Sequence, residues 1–483
     1  MVQEITVLGG GTAGLTSALI IKSAYPDIKV NLIKSEKIDI VGVGEGTTEH
    51  WREFIDFCKL SPEDFFIHCG STFKHGINFV NWNGDGKSYL HNVPTYIINQ
   101  DKNSHCNVIH KLIVENEDAN MMIDKFIIDS MHYQPVIEST NQYHFDTFKL
   151  NNFLTNKCEQ RQINVITDTI KDVVIDSITG NVKELVGEKQ NYNGCLFVDA
   201  SGFHRVLHKH TGSNWKDCTE YLPMNSAITF PTALDDEFPA YTKATAMDNG
   251  WVWQIPTQER YGNGYVYCDE YCTEEQAIAE VTNAYGFELD IKKKFKFGAG
   301  YLTNPWSKNV IAVGLSASFI EPLEATNIGT AIQQAFGIVH HLDHYQTAQQ
   351  NYNRKITKVF ENTVDFVQLH YFTNRKDTEF WKSTSSIKKT DFNEETFEVF
   401  KTNIPNWTYF DNQYCLFNQY NWIMVMAGLG LLDRKKYIED FNRLPYESKM
   451  QADVKLDVYF SRQEPALLTH REAINYIQEK YSA

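Results

Sequence analysis

The chain opens with a β-branched apolar run, EITVL at 4–8, stops at a cluster of glycines, and resumes from Leu15 to Tyr25 with apolar residues at helical spacing until Pro26. This pattern predicts strand, turn and helix. Residues 28–33 then alternate as a second strand, so the start reads as the βαβ unit of a dinucleotide-binding sheet. Further strands are predicted at 164–166, 170–175, 182–186, 195–198, 265–268 and 310–313. Helices are predicted at 146–160 and 274–285, with a long one from about 327 to 344 behind a glycine turn. Beyond about 346 the strand period disappears and aromatic residues recur at three- and four-residue spacing among helix formers. The expected organisation is an α/β core over 1–345 and a mainly helical section over 346–483.

Composition narrows the function classes. Of the 483 residues 42 % are apolar, enough for a substantial core. The 61 acidic residues exceed the 45 basic ones, a net charge of −16, so no electrostatic footprint for nucleic acid is expected and the partners should be small molecules or proteins. The nine cysteines include no C-x-x-C pair to cage zinc, no metal site is expected, and they read as reduced thiols of a cytoplasmic protein. The apolar start lacks a basic leader and is cut by glycines 9, 10, 11 and 14, so it fits neither a signal peptide nor a membrane span. Aromatic residues reach 13 %, which suits a protein that handles flat rings and equally an aromatic core.

Gly9, Gly11 and Gly14 form G-x-G-x-x-G, with Thr12 and Ala13 between the last two, directly after a strand and at the opening of a helix. In that context the first glycine permits a tight turn, the second lets a pyrophosphate approach the backbone, and the helix N-terminus supplies amide donors. The acidic residue expected at the end of the second strand is displaced: Lys34 stands near its place and Glu36 follows two residues later. No second G-x-G-x-x-G occurs, which argues against a built-in NAD(P)H domain. Reducing equivalents are therefore expected from another protein.

Further motifs run in order along most of the chain: GGGTAG at 9–14, GVGEGT at 42–47, FKHGINFVNW at 73–82, YHFDTFKLNNFL at 143–154, LFVDASGF at 196–203, WVWQIP at 251–256, RYGNGYVY at 260–267, VGLSASFIEPLEATNI at 313–328 and DFVQLHYFTNRKDTEFW at 365–381. Together they resemble the flavin-dependent halogenases of the tryptophan-halogenase type, with W-x-W-x-I-P the most particular motif. The resemblance implies a glutathione-reductase-type FAD domain of Rossmann character with a smaller, mainly helical substrate section. It further implies FAD, reduced by a separate flavin reductase, and halide and dioxygen as co-substrates. Gly44, Glu45 and Gly46 would join the glycine loop at the cofactor, and Leu315 and Ile328 would touch the isoalloxazine.

By the same resemblance, hypohalous acid made at the flavin reaches Lys74, whose ammonium can hydrogen-bond the oxidant or whose amine can form a haloamine. Glu324 would orient the oxidant and take the ring proton. Thr326 and Asn327 match the halide position, and ordinary N-capping explains their side chains equally well. Ala325 stands where many relatives have serine, and Asn327 where glycine is frequent. Trp251 and Trp253, on one side of a strand, would wall the flavin from the substrate, although two large residues on a buried strand face read the same way.

The C-terminal stretch FNQYNWIMVM at 417–426 offers no counterpart to the aromatic cassette of tryptophan-specific members, so free tryptophan is not the expected substrate. Electron-rich phenols, indoles or other arenes are, as in a divergent, phage-type branch. His370, Tyr371, Phe380 and Trp381 are candidates to line that site and equally candidates for core. The competing readings are an aromatic hydroxylase and a flavin-binding protein without turnover. Self-association of the chain is left open.

Overall fold

The computed structural model describes residues 2–38, 45–92, 107–115, 141–410, 415–461 and 468–481. By its contacts the chain divides into two compact units, Met1–Gly70 with Phe145–Cys218 and Gly298–Glu361, and Ser71–His144 with Thr219–Phe297 and Asn362–Ala483. The 345/346 division marks where strand periodicity stops along the chain, whereas these units follow packing and each gathers three stretches.

The first unit is built on a six-stranded sheet in the order Trp306–Ser307, Val310–Ala312, Leu196–Asp199, Glu4–Leu8, Lys29–Lys34, Asn164–Thr167. Every pairing except the first is parallel. The central strands are apolar on both faces, as a sheet covered on two sides requires. The helix Thr12–Ala24 buries Leu15, Ala18, Leu19, Ile20 and Ile21. The helix Thr147–Gln160 starts at Asp146, which caps it by accepting from the amides of Phe148 and Lys149. A three-stranded antiparallel sheet, Ile170–Ile175, Val182–Gly187 and Asn191–Asn193, lays Val173, Val182, Leu185 and Tyr192 against Phe197 and Val310.

The second unit contains a seven-stranded sheet in the order Lys293–Lys296, Ser226–Ala233, Arg260–Tyr267, Gly250–Pro256, Thr242–Ala246, Gly76–Val80, Ser88–Asn92. Of these strands sequence periodicity marked only the end of Arg260–Tyr267 and, through alternation of the two tryptophans, Gly250–Pro256. The reason lies in the interior positions: Ser226, Thr229, Asn263 and Thr242 are buried polar residues that break the apolar alternation. The helix Glu274–Tyr285 starts with a Thr273/Gln276 capping box and packs Ala277 and Val281 on Ile228, Phe230, Val252 and Tyr265. From Gln349 onward the described elements are all helical.

One buried carboxylate ties the small antiparallel sheet down. Asp168 accepts the Tyr192 hydroxyl at 2.7 Å and the amides of Thr169, Glu188 and Lys189 at 2.7, 3.1 and 3.1 Å. Desolvation alone would raise its pKa, but these donors outweigh it and hold the carboxyl at about 2. A carboxyl depressed on folding contributes stability above its unfolded pKa and loses it as pH falls through the folded one. Asp168→Asn is therefore expected to lower Tm at pH 7. Thermal melts should show the gap to wild type shrinking between about pH 4 and pH 2.

Candidate functional site

In the first unit the predicted cofactor residues gather at the carboxyl end of the central strands. Gly9 has φ +125° and donates its amide to Ile33 O at 2.9 Å, while Ala200 N donates to Leu8 O at 2.8 Å. A Cβ on Gly9 would lie 2.1 Å from Ala200 O, and one on Gly14 would lie 2.0 Å from Gly9 O. These two glycines are required by backbone approach. Gly11 is different: a Cβ there would meet nothing within 4 Å. As N-cap of the helix it carries no capping side chain, and the first helical bond is made by Leu15 N to Gly11 O, so the amides of Thr12, Ala13 and Gly14 precede it. Open space before a helix N-terminus without a side-chain cap fits the pyrophosphate of a dinucleotide.

Other residues fix this loop and were not singled out from the sequence. Asn151 donates its amide to Gly10 O at 2.6 Å. Asp199, which ends its strand, accepts from Ser201 N and Oγ, from Leu207 N and His208 N, and from Ser316 Oγ. Gln334 clamps the Gly314–Ser316 turn, accepting from Gly314 N at 2.9 Å and donating to Ala312 O at 3.0 Å. Asn151 and Gln334 both stand in polar pairs, with Asn152 and Gln333 respectively, so the sequence offered no signal to single them out. Leu315 in that turn is half-buried, and Ile328 is buried. Glu36 is exposed, Lys34 lies against Gly10, and Gly44 falls outside the described residues.

Glu45 and Gly46 form a short strand, and Thr12 Oγ1 donates to Glu45 Oε2 at 3.3 Å. Burial pushes the Glu45 carboxyl up to about 7, against the Thr12 hydrogen bond and with Asp146 adding to the rise.

The EPLEATNI segment enters the Thr326–His341 helix through two consecutive left-handed residues, Glu324 at φ 68° and Ala325 at φ 53°. For residues with a Cβ this costs about 1–2 kcal/mol each. Thr326 is the first helical residue and Ala325 the N-cap, so no side-chain cap forms and the capping role considered for Thr326 and Asn327 is not seen. The first-turn amides stand without a side-chain oxygen, which suits an anion. Thr326 is buried, Asn327 half-buried and Glu324 only 4 % exposed.

In the second unit Lys74 follows the short strand Thr72–Phe73 and is 3 % exposed, so it is no surface lysine. Its amide donates to Gln142 O at 3.2 Å. His144 is wholly buried between two hydroxyls, Thr72 Oγ1 at 3.0 Å and Thr242 Oγ1 at 2.9 Å. Thr72 gives its own proton to Pro256 O, so His144 Nδ1 donates to Thr72 and Nε2 accepts from Thr242. Burial holds this imidazole well below its usual pKa, with Lys74, His470 and His75 adding to the fall, and burial lowers His75 to about 4. Lys74 thus has neutral histidines around it.

Trp251 and Trp253 lie on one face of Gly250–Pro256 with ring centroids 6.1 Å apart. Trp251 is 1 % exposed and Trp253 half-buried; the Trp253 indole covers Gly264 on the adjoining strand, where a Cβ would sit 2.1 Å from the ring. His370, Tyr371, Phe380 and Trp381 are fully buried core, with Tyr371 and Trp381 packed on Trp82.

The protein-family model described as tryptophan halogenase matches residues 4–440. The tryptophan 6-halogenase SttH of Streptomyces toxytricini is 28 % identical over 473 residues, covering 89 % of this chain and 90 % of its own length. The tryptophan 7-halogenase RebH of Lentzea aerocolonigenes is 27 % identical over 483 residues, with coverages of 89 % and 90 %. The crystal structure of SttH superposes with a TM-score of 0.81 at 25 % identity, covering 98 % of this chain and 99 % of that one.

Glu45 gives the cofactor region a pH signature. Its carboxyl is neutral below about 7 and becomes an anion above it. FAD, itself anionic, is expected to bind at least about threefold more weakly at pH 8 than at pH 6, an aqueous dielectric setting the smallest effect of one added charge. Flavin titrations at the two pH values should lose this difference in Glu45→Gln.

Proposed function

The chain belongs to the tryptophan halogenase family, whose members are flavin-dependent halogenases, and from that premise we propose that it halogenates electron-rich phenols, indoles or related arenes through Lys74, with free tryptophan not preferred. FAD would be held by the loop Gly9–Gly14, with Glu45, Gly46, Leu315 and Ile328 at its ring and Glu36 toward the adenosine. When bound in reduced form, supplied by a separate flavin reductase, it provides the two electrons with which dioxygen turns a halide ion into hypohalous acid. The amides at Thr326 and Asn327 hold the halide.

The observation that carries the reading is the near-complete burial of Lys74 among histidines kept neutral. A lysine held at this depth with no competing imidazolium beside it can serve as a donor toward the oxidant. Lys74 assists departure of the oxidant's oxygen, directly or as a haloamine; the arene attacks the halogen, and Glu324 takes the proton lost from the ring carbon. Trp251 and Trp253 keep bulky arenes from the flavin, leaving halide as the nucleophile small enough to meet the oxidant. The stretch 417–426 supports the substrate reading: Phe417, Tyr420, Trp422 and Met424 are buried core, so they present no cassette for a free amino acid. The free thiols at the eight described cysteines accord with a cytoplasmic enzyme.

The test incubates purified protein with reduced FAD, air, each halide in turn, and a panel of phenols, indoles and free tryptophan, with products read by mass. Halogenated product is expected, with free tryptophan converted about tenfold less efficiently than the best arene, a gap of about 1.4 kcal/mol. Hydroxylated product would favour the hydroxylase, and bound flavin without product a non-catalytic role. Lys74→Ala should reduce halogenation about a hundredfold or more with FAD affinity unchanged. Wild-type yield from that variant would remove Lys74 from the mechanism.

A further inference from the structure

The family model ends at residue 440, yet the helix His470–Tyr481 reaches the segment that carries Lys74. It is docked by Ala473, Ile474 and Ile477 and starts with a reciprocal cap between Thr469 and Glu472. Arg471 donates to the carbonyls of Asp235 and Asp236 and stacks over Phe238. Two further contacts bracket residues 71–73. Gln478 donates to Gln258 Oε1 at 2.9 Å, and Gln258 in turn donates to Ser71 O at 2.8 Å. At the other end Phe73 N donates to His470 Nε2 at 3.1 Å, while His470 Nδ1 donates to Phe238 O at 3.3 Å.

We propose that His470 is a positioning residue for halogen transfer: by accepting the Phe73 amide it fixes the backbone from which the neighbouring Lys74 side chain departs. The inference rests on the Lys74 reading above. His470 is 3 % exposed. Both of its ring nitrogens are committed in one tautomer, since a proton on Nε2 would face the Phe73 amide hydrogen. Burial, with His75 adding, brings its pKa down to about 3, so the acceptor persists across the working pH range. Gln reaches as far as Nε2 and can replace the acceptor; Asn is too short, and Phe fills the volume without accepting.

The experiment uses the FAD-loaded full chain with the best arene of the panel and a 1,3-diketone that traps free hypohalous acid. Halogenated arene and trapped oxidant are quantified together, alongside Tm, FAD affinity and hydrogen exchange over residues 71–75 in the flavin-free protein. In His470→Asn and His470→Phe total oxidant should stay within about twofold of wild type while the ratio of arene product to trapped oxidant falls about tenfold, the scale expected for a misplaced delivery group. Exchange over 71–75 should accelerate in both, and His470→Gln should restore ratio and protection together. An unchanged ratio in the Asn and Phe variants overturns the proposal, as does a Gln variant that restores protection but not the ratio. Should the Phe variant fail to fold, the Asn and Gln pair decides. Lys74→Ala is the reference: a wild-type ratio there defeats the Lys74 reading itself, whereas a collapsed ratio there with intact His470 variants defeats this inference alone.

Discussion

Backbone approach at the end of the Glu4–Leu8 strand is the constraint on which the first unit depends. Gly9 O comes so near the Cα of Gly14, and Ala200 O so near that of Gly9, that no side chain fits at either glycine. The contact lets the helix begin directly behind the strand, with its uncapped amides at the carboxyl end of the central strands. Asp199 extends the arrangement, because its two oxygens gather the turn at Ser201, the backbone at 207–208 and the Ser316 hydroxyl. Gln334 then locks the Gly314–Ser316 turn to the helix that starts at Thr326. Strand ends, the Gly314–Ser316 turn and the helix behind EPLEATNI are thus joined by hydrogen bonds.

The second unit solves a different electrostatic problem. Moving an ammonium out of water is expensive, and each additional cation nearby would raise the cost further. His144 and His470 are held in single neutral tautomers by hydroxyl, amide and carbonyl partners. Such partners make the region polar without placing an imidazolium beside Lys74.

Much of the first unit was legible in the sequence, because parallel strands and their helices have long apolar runs with caps and breakers at their ends. The strand Ile170–Ile175 coincides with the periodicity, and Asp146 marks the start of its helix as a cap; in the second unit the helix Glu274–Tyr285 was equally readable. The large sheet of the second unit was mostly not legible. Buried polar side chains there find partners far along the chain, Thr242 at His144 and Asn263 at Thr232, and that pairing is long-range information which no local period carries. The same holds for the candidate site. Lys74, Glu324 and the glycines stand in motifs, but no motif tells which distant residue pairs with which: His470 is 397 residues from the Phe73 amide it holds, and Asn151, itself inside a motif, is 141 from Gly10. The left-handed pair at Glu324 and Ala325 carried no warning, since neither residue type favours that conformation.

The indole of Trp253 rests on bare backbone at Gly264, so its pose is bought by the missing methyl on the next strand. The two positions therefore form a single unit for anyone reshaping this surface. Randomising either alone explores mostly clashes or holes, and a combinatorial library that trades ring size at 253 against side-chain volume at 264 is the design space in which new packings exist.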